Sequence, residues 1–439
     1  MTTGNLAVDG AEASEAAATP MRDRKSGYWG IVLLISFGVL VAYADRSSIA
    51  SAIAHRSFVD HFHMSDVDRG WLGAAFFWSY ALAQVPLGWT VDRYGVKIPY
   101  AICFTLWCVA TAATGLMTAF SGVILVRLIV GAMEAVVMPA SYRWFRDNVP
   151  ERHTGAAIGV FAMGNKVGTA VGAPFAAWLI ASYDWRMMFV VTGLLGLVWL
   201  VPWLAFVRND LPRREEMAEA RRRASSVPFR NIIVSPVVWG GIVINFCYSY
   251  FIFYSMTWMP SYLVEQRGLA LGTSALYTFF SFSGIAVVAV AAGWAADRLI
   301  ERGGDPVRTR KIFVVLGFCG AGTVLMGAYT NDLDMALFWN VFSLASLGLA
   351  SANSLALCKV TLIPKPAIGL VAGVQHMAAG LSGGLAASLS GWLLGISGNY
   401  DLPIKVIVFF LAAGAGACIV LLRPEWSPKV SPGHAAGAE

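Results

Sequence analysis

Five ionisable side chains lie where the chain is otherwise apolar: Asp45 and Arg46, Arg127 and Glu134, and Lys166. The apolar stretches of the second half hold no Asp, Glu, Lys or Arg at mid-depth, and His376 is their one ionisable candidate. At the centre of a bilayer each such charge costs about 2.5–3.5 kcal/mol on insertion scales, so five of them mark a pathway by default. Arg127 and Glu134 are seven residues apart, two helical turns, and share a helix face. Three cations against two carboxylates leave one net positive charge, which suits an anion. Low dielectric favours the neutral form of a carboxyl and a neighbouring guanidinium favours the charged one. Glu134 can therefore pair with a cavity arginine when ionised and release it when protonated. The freed guanidinium can grip a substrate carboxylate through a two-point fork. Proton and anion would then bind together, as in symport. The competing reading makes Arg127–Glu134 and Asp45–Arg46 internal ion pairs that only fix helix packing.

Around these charges stand polar residues that could line the same path: Tyr43, Tyr142, Asn165, Asn245, Tyr248, Asn353, Gln375 and His376. For each, an interhelical hydrogen bond is an equally good reading. Lys166 is either a further anion ligand or a snorkelling side chain whose ammonium leaves the cavity along its stem. Gly155, Gly159, Gly164, Gly168 and Gly172 follow small-xxx-small spacing and are expected to pack helices closely. No metal site is expected: His55, His61 and His63 fall in a polar loop, and the six cysteines lie in apolar segments without a CxxC pair. Neither a cofactor nor an enzymatic nucleophile–base–orienter set is expected.

The elements that must hold these residues follow from composition. Of 439 residues, 57% are hydrophobic and 13% charged, about half the charged share of a soluble domain. Mean hydropathy is +0.63. Twelve apolar runs of membrane-crossing length fall at about 28–52, 70–91, 98–119, 121–144, 154–180, 186–207, 236–264, 272–296, 311–330, 334–358, 367–396 and 404–422. In hydrocarbon their backbones must be helical, since barrel strands are shorter and alternate. The fold expected is an all-α polytopic membrane protein. Residues 28–207 and 236–423 would form two six-helix bundles, joined by a basic linker at 208–235 and flanked by cytosolic tails at 1–27 and 424–439. Lysine and arginine concentrate on the side of the tails and linker, which places both termini in the cytoplasm. The net charge of +6 thereby calls for anionic headgroups and no nucleic acid.

The halves repeat. Gly88-Trp89-x2-Asp92-Arg93 matches Gly293-Trp294-x2-Asp297-Arg298. Pro150, Gly155, Gly159 and Trp178 recur at a constant offset as Pro364, Gly369, Gly373 and Trp392. Parallel six-plus-six repeats are the build of alternating-access carriers, with the site between the halves.

Gly88-x3-Asp92-Arg93-x-Gly95-x-Lys97 resembles the inter-helix loop motif of the major facilitator superfamily. Tyr43-x-Asp45-Arg46, Arg127-x3-Gly131-x2-Glu134-Ala135, Trp185-Arg186-x2-Phe189 and Thr257-Trp258-Met259-Pro260-Ser261-Tyr262-Leu263 resemble its anion:cation symporter branch. The resemblance implies gating roles for Asp92, Arg93 and Lys97, and for their second-half counterparts Asp297 and Arg298. It implies proton carriage by Asp45 and Glu134, with Arg46 and Arg127 as substrate and coupling cations and Tyr43 and Asn165 nearby. That branch carries sugar acids such as hexuronates, aldonates and aldarates, and related carboxylates, across the bacterial inner membrane. The chain departs from the pattern at Gly164-Asn165-Lys166, where a neutral residue is the expected neighbour of Asn165. An added cation favours a second carboxylate or takes over part of the arginine role. The partners implied are a small organic anion, protons and membrane lipid, with the chain working as a monomer. Three readings compete: an organophosphate:phosphate antiporter, a proton-coupled drug exporter and a transporter-like sensor.

Overall fold

The computed structural model describes residues 27–208, 229–358, 362–364 and 367–428. The expected N-terminal tail, most of the basic linker and the end of the C-terminal tail lie outside the described residues. Twelve long helical spans carry the fold: α1 Gly27–Ile53, α2 Asp66–Tyr94, α3 Lys97–Thr114, α4 Phe120–Asn148, α5 Glu151–Ser182 and α6 Trp185–Phe206, then α7 Pro236–Thr257, α8 Leu271–Glu301, α9 Pro306–Tyr329, α10 Leu333–Ala356, α11 Ile368–Ser397 and α12 Asp401–Leu421. Among the described residues ten of these are long and apolar enough to cross a membrane. The other two, α2 and α5, are 29 and 32 residues long. Their apolar runs are diluted by glycine, aromatic and polar residues that serve the interior of the protein.

The differences from the expected spans have local causes. Helix α2 begins well before its apolar run, because Ser65 and Asp68 form a reciprocal capping box (Asp68 N to Ser65 Oγ 3.2 Å, Ser65 N to Asp68 Oδ2 3.0 Å). Aspartates at 184, 305 and 332 cap α6, α9 and α10 by a single bond each, the carboxylate accepting a backbone N–H of the first turn. The expected single span at 236–264 breaks at Trp258, and Met259–Glu265 continues as a separate short helix. Pro260 near its start has no N–H to donate, which suits a fresh first turn.

Within the first half α1 packs on α5, α2 on α4, and α3 on both α4 and α6. The second half repeats the pattern with six added to each label: α7 on α11, α8 on α10, and α9 on both α10 and α12. The halves meet through α2 against α11 and α5 against α8, a pair that the same operation exchanges. Glycine permits the closest contact. A Cβ on Gly168 would meet the Leu40 backbone of α1, and one on Gly172 would lie 2.5 Å from Ala44 Cα.

One face of α5 reports how the halves sit. Gly155 and Gly159, toward the face where α1 begins and α12 ends (the terminal face), have no neighbour within 4 Å of where a Cβ would stand. Further along the same face, Ala162, Lys166 and Thr169 line a central cavity. Beyond them Ala173 and Ala177 pack on Ala275 of α8. Helix α11 runs the same course: Gly373 faces open space, His376 and Gly380 line the cavity, and Gly391 abuts Gly70 of α2. The halves are closed at the opposite, loop face and parted toward the terminal face.

Candidate functional site

The central cavity, ≈170 Å³, lies between the halves. Helix α1 contributes Tyr43 and Arg46, α2 Phe77, Tyr80 and Gln84, α4 Tyr142, α5 Asn165 and Lys166, α7 Asn245 and Tyr248, and α11 His376. Six of the nine expected substrate-site residues therefore stand on one wall system: Tyr43, Arg46, Asn165, Lys166, Tyr248 and His376. Arg127, Gln375 and Asn353 do not reach the cavity wall. Arg127 is 3% exposed and lies behind Phe76, its guanidinium carbon 5.0 Å from the ring centroid. Gln375 is buried at the contact of α11 with α7, where its carbonyl accepts from Asn245 Nδ2 at 2.6 Å. Asn353 is buried in α10 and bonds the Leu349 carbonyl and Arg310.

Arg46 is the guanidinium at the cavity. Its carbon lies 4.3, 4.7 and 4.9 Å from the ring centroids of Tyr43, Tyr80 and Phe76. Such aromatic faces favour a planar cation by their quadrupoles. Its Nε donates to Glu134 Oε1 at 2.5 Å, and Nη2 pairs with the same oxygen. Glu134 is fully buried, and its second oxygen, Oε2, has no hydrogen-bond partner among the described residues. The pairing crosses from α4 to α1 rather than running along α4 to Arg127. Asp45, next to Arg46 but pointing into the bundle, accepts from Thr111 Oγ1 of α3 at 2.7 Å and from Ser48 Oγ at 3.4 Å. The four charges thus divide into one cross-helix ion pair at the cavity, Arg46 with Glu134, and two charges buried behind it, Asp45 bonded to Thr111 and Arg127 beneath Phe76.

Lys166 does not snorkel. Its Nζ donates across the gap to Tyr248 Oη of the second half at 3.2 Å. An ammonium whose bond is to a neutral phenol keeps its charge available to an anion. The His376 ring lies tilted beside Tyr142, 5.9 Å between ring centroids.

The expected gating residues occupy the terminal face, where contacts run within each half. Asp92 pairs with Arg143 Nη1 at 3.5 Å, and that arginine also donates to the Val91 carbonyl. Arg93 lies over Trp89 and Tyr94, and Lys97 Nζ donates to the Leu204 carbonyl at 2.7 Å. In the second half Asp297 pairs with Arg310 at 2.7 Å and Arg298 lies over Trp294.

The loop face holds a charged contact that sequence reasoning missed. Arg69 of α2 donates to both oxygens of Glu265, at 2.6 and 3.3 Å, so it spans the two halves. Tyr400 Oη donates to Glu265 Oε2 at 2.6 Å. Arg69 also holds Asp66 and the Ile53 carbonyl and is 4% exposed. Beside it the Trp258 ring lies 5.2 Å from the Arg69 guanidinium carbon, across the seam, and is held within the second half by its Nε1 donating to the Ala387 carbonyl. The signal in the sequence was slight: a lone arginine one residue ahead of an apolar run, and a glutamate one residue past another.

The model of the Major Facilitator Superfamily matches residues 35–387. The chain is 28% identical over 409 residues to the D-galactonate transporter of Escherichia coli O6:H1, covering 86% of this chain and 90% of that one. It is 24% identical over 462 residues to the probable galactarate/D-glucarate transporter GudP of Bacillus subtilis, covering 95% and 98%. It is 26% identical over 406 residues to the probable sulfoacetate transporter SauU of Cupriavidus necator, covering 89% and 92%. Among solved structures, a bacterial homologue of the human lysosomal transporter Spinster, inward-facing and occupied, gives a TM-score of 0.73 at 17% identity, over 93% of this chain and 100% of that one. A D-xylose-proton symporter gives 0.73 at 16%, over 92% and 100%. These two likenesses concern the fold. The chain belongs to the major facilitator superfamily of membrane transporters, and its anion-transporting relatives agree with the anion:cation symporter resemblance of its first and fourth spans.

Proposed function

We propose that the protein imports a small organic anion, a sugar acid or related carboxylate, by proton symport through alternating access. The observation that carries this is the cavity arginine held by a buried glutamate with one oxygen unpartnered. A proton arriving at Glu134 Oε2 removes the charge that holds Arg46. The guanidinium then turns its fork to the substrate carboxylate, with Lys166 as a second point of attraction. Once the substrate leaves, Arg46 returns to Glu134 and the proton departs. Asp45 is the second proton carrier of the same relay, Arg127 the coupling cation buried near it, and neither touches the substrate. The sugar-acid relatives support the carboxylate class, and the one-sided excess of cation in the first half supports anion selection.

Residues 28–207 and 236–423 act as the two rocking bodies, joined by the 208–235 linker. Charge asymmetry supports placing the linker and both termini in the cytoplasm of an inner membrane. The described conformation is then inward-facing, with Arg69–Glu265 shut on the outside. Opening outward requires that pair to part and the terminal-face ends of α5 and α11 to close on the opposite half.

The test is uptake into proteoliposomes under an imposed pH gradient, with galactonate, glucarate, glucuronate and a sugar phosphate as substrates. One carboxylate should accumulate only with the gradient. Glu134→Gln should exchange that carboxylate but fail to concentrate it. Movement of the sugar phosphate alone, in exchange for phosphate and indifferent to pH, would overturn the reading.

A further inference from the structure

A larger cavity than the central one lies on the outer surface of the second half. It is a groove of ≈480 Å³ between the first turns of α9 and the last turns of α12. The two helices run antiparallel, so depth can be read along both walls. Arg308 and Arg423 stand at the terminal-face rim, with Lys311 one turn further in. Ile312, Leu316 and Ile419 follow at membrane depth, each about half exposed. On α9 these residues recur at helical spacing and form one face that changes from cationic to apolar along its length.

The charges are not equivalent. Lys311 Nζ donates to the Ile419 and Leu422 carbonyls, both at 3.1 Å, so it satisfies the open end of α12. The Asp305 carboxylate accepts from the Arg308 backbone N–H at 2.6 Å and caps α9. Arg308 and Arg423 present exposed guanidiniums at the rim, and Glu425 is the remaining acid beside them. Three cations against two carboxylates leave the rim net positive.

We propose that this groove seats an anionic phospholipid of the terminal-face leaflet, its phosphate between Arg308 and Arg423 and one acyl chain along Ile312, Leu316 and Ile419. Basic pockets between helices at the membrane boundary recognise anionic headgroups in this manner. A soluble anion would leave the apolar floor without an occupant. The arginine-rich stretch 209–228 shares the sign of the rim. A zwitterionic lipid would meet the floor and gain little at the rim.

The test is lipid retention by the purified full-length protein, read by native mass spectrometry after equilibration with equal phosphatidylglycerol and phosphatidylcholine of matched chains. Wild type should retain phosphatidylglycerol preferentially, by about fivefold for each rim arginine engaged. Arg308→Gln with Arg423→Gln should bring the ratio near one, while Arg302→Gln on the same face should leave it unchanged. Independently of any variant, a photoactivatable phosphatidylglycerol should label peptides of α9 and α12 in wild type, and excess unlabelled phosphatidylglycerol should compete where phosphatidylcholine does not. Equal retention of both lipids by wild type, or labelling spread evenly around the protein, overturns the proposal.

Discussion

Arg46 is held by geometry as much as by charge. Three aromatic faces and one glutamate oxygen define its position, and in the proposed mechanism its planar fork exchanges that glutamate for a substrate carboxylate. An ammonium carries the same charge without the fork. Arg46→Lys is therefore expected to lower kcat/KM for uptake by at least about tenfold, with the protein still folded by size-exclusion profile. Lys166→Met removes the cation whose bond is to Tyr248 and leaves Arg46 in place. If Lys166 serves a second carboxylate, the variant should weaken a diacid by about tenfold more than its monoacid analogue in competition uptake. Equal losses for the two would show that it attracts anions without counting their carboxylates. At this scale the identities of the charges were legible in the sequence and their pairings were not. A buried charge announces itself by its cost, so Asp45, Arg46, Arg127, Glu134 and Lys166 were legible. Arg46 and Glu134 are 88 positions apart, and no spacing rule links them. Thr111, which holds Asp45, reads as one more small residue in an apolar run.

The helices show the same division. The apolar runs located the spans, because hydrocarbon leaves a backbone few alternatives. The helix ends followed capping chemistry that hydropathy does not register, as at Ser65 and Asp68. Glycine spacing on α5 was also legible, but its meaning splits along the helix. Gly168 and Gly172 press on α1, where added volume typically costs about 1–3 kcal/mol. Gly168→Val is expected to lower the thermal midpoint in detergent by several degrees. Gly159 faces open space in this conformation, so Gly159→Leu should leave that midpoint almost unchanged. It should nevertheless slow uptake, since in the proposed cycle the terminal face closes over that position. A Gly159→Leu carrier of ordinary speed would refute the assignment of that face as moving.

For the whole molecule, the question is what holds one mouth shut. Arg69 and Glu265 join the halves only on the loop face, and Arg69 is almost wholly buried. Glu265 is 29% exposed, so the pair is worth less than a fully desolvated one. A value of roughly 1–2 kcal/mol corresponds to a five- to thirtyfold change in the balance of the two conformations. Glu265→Gln should shift distances between spin labels on the loop-face ends of α2 and α11 toward a longer population. The exchanged pair Arg69→Glu with Glu265→Arg should restore part of the shorter one. Unchanged distances in the single variant would make the contact incidental. The sequence could not show this contact, because each partner lies at the edge of an apolar run, where a charge is ordinary.

Under the proposed alternating access, the open stretch at Gly155, Gly159 and Gly373 also makes the carrier vulnerable. A cycle in which that empty space is filled by the opposite half can be stopped by anything that fills it first. A compact wedge lodged there would need no likeness to the cargo and would leave Arg46 untouched. Inhibition of that kind would be noncompetitive, undiminished by raising the substrate, and effective only from the side on which the mouth stands open.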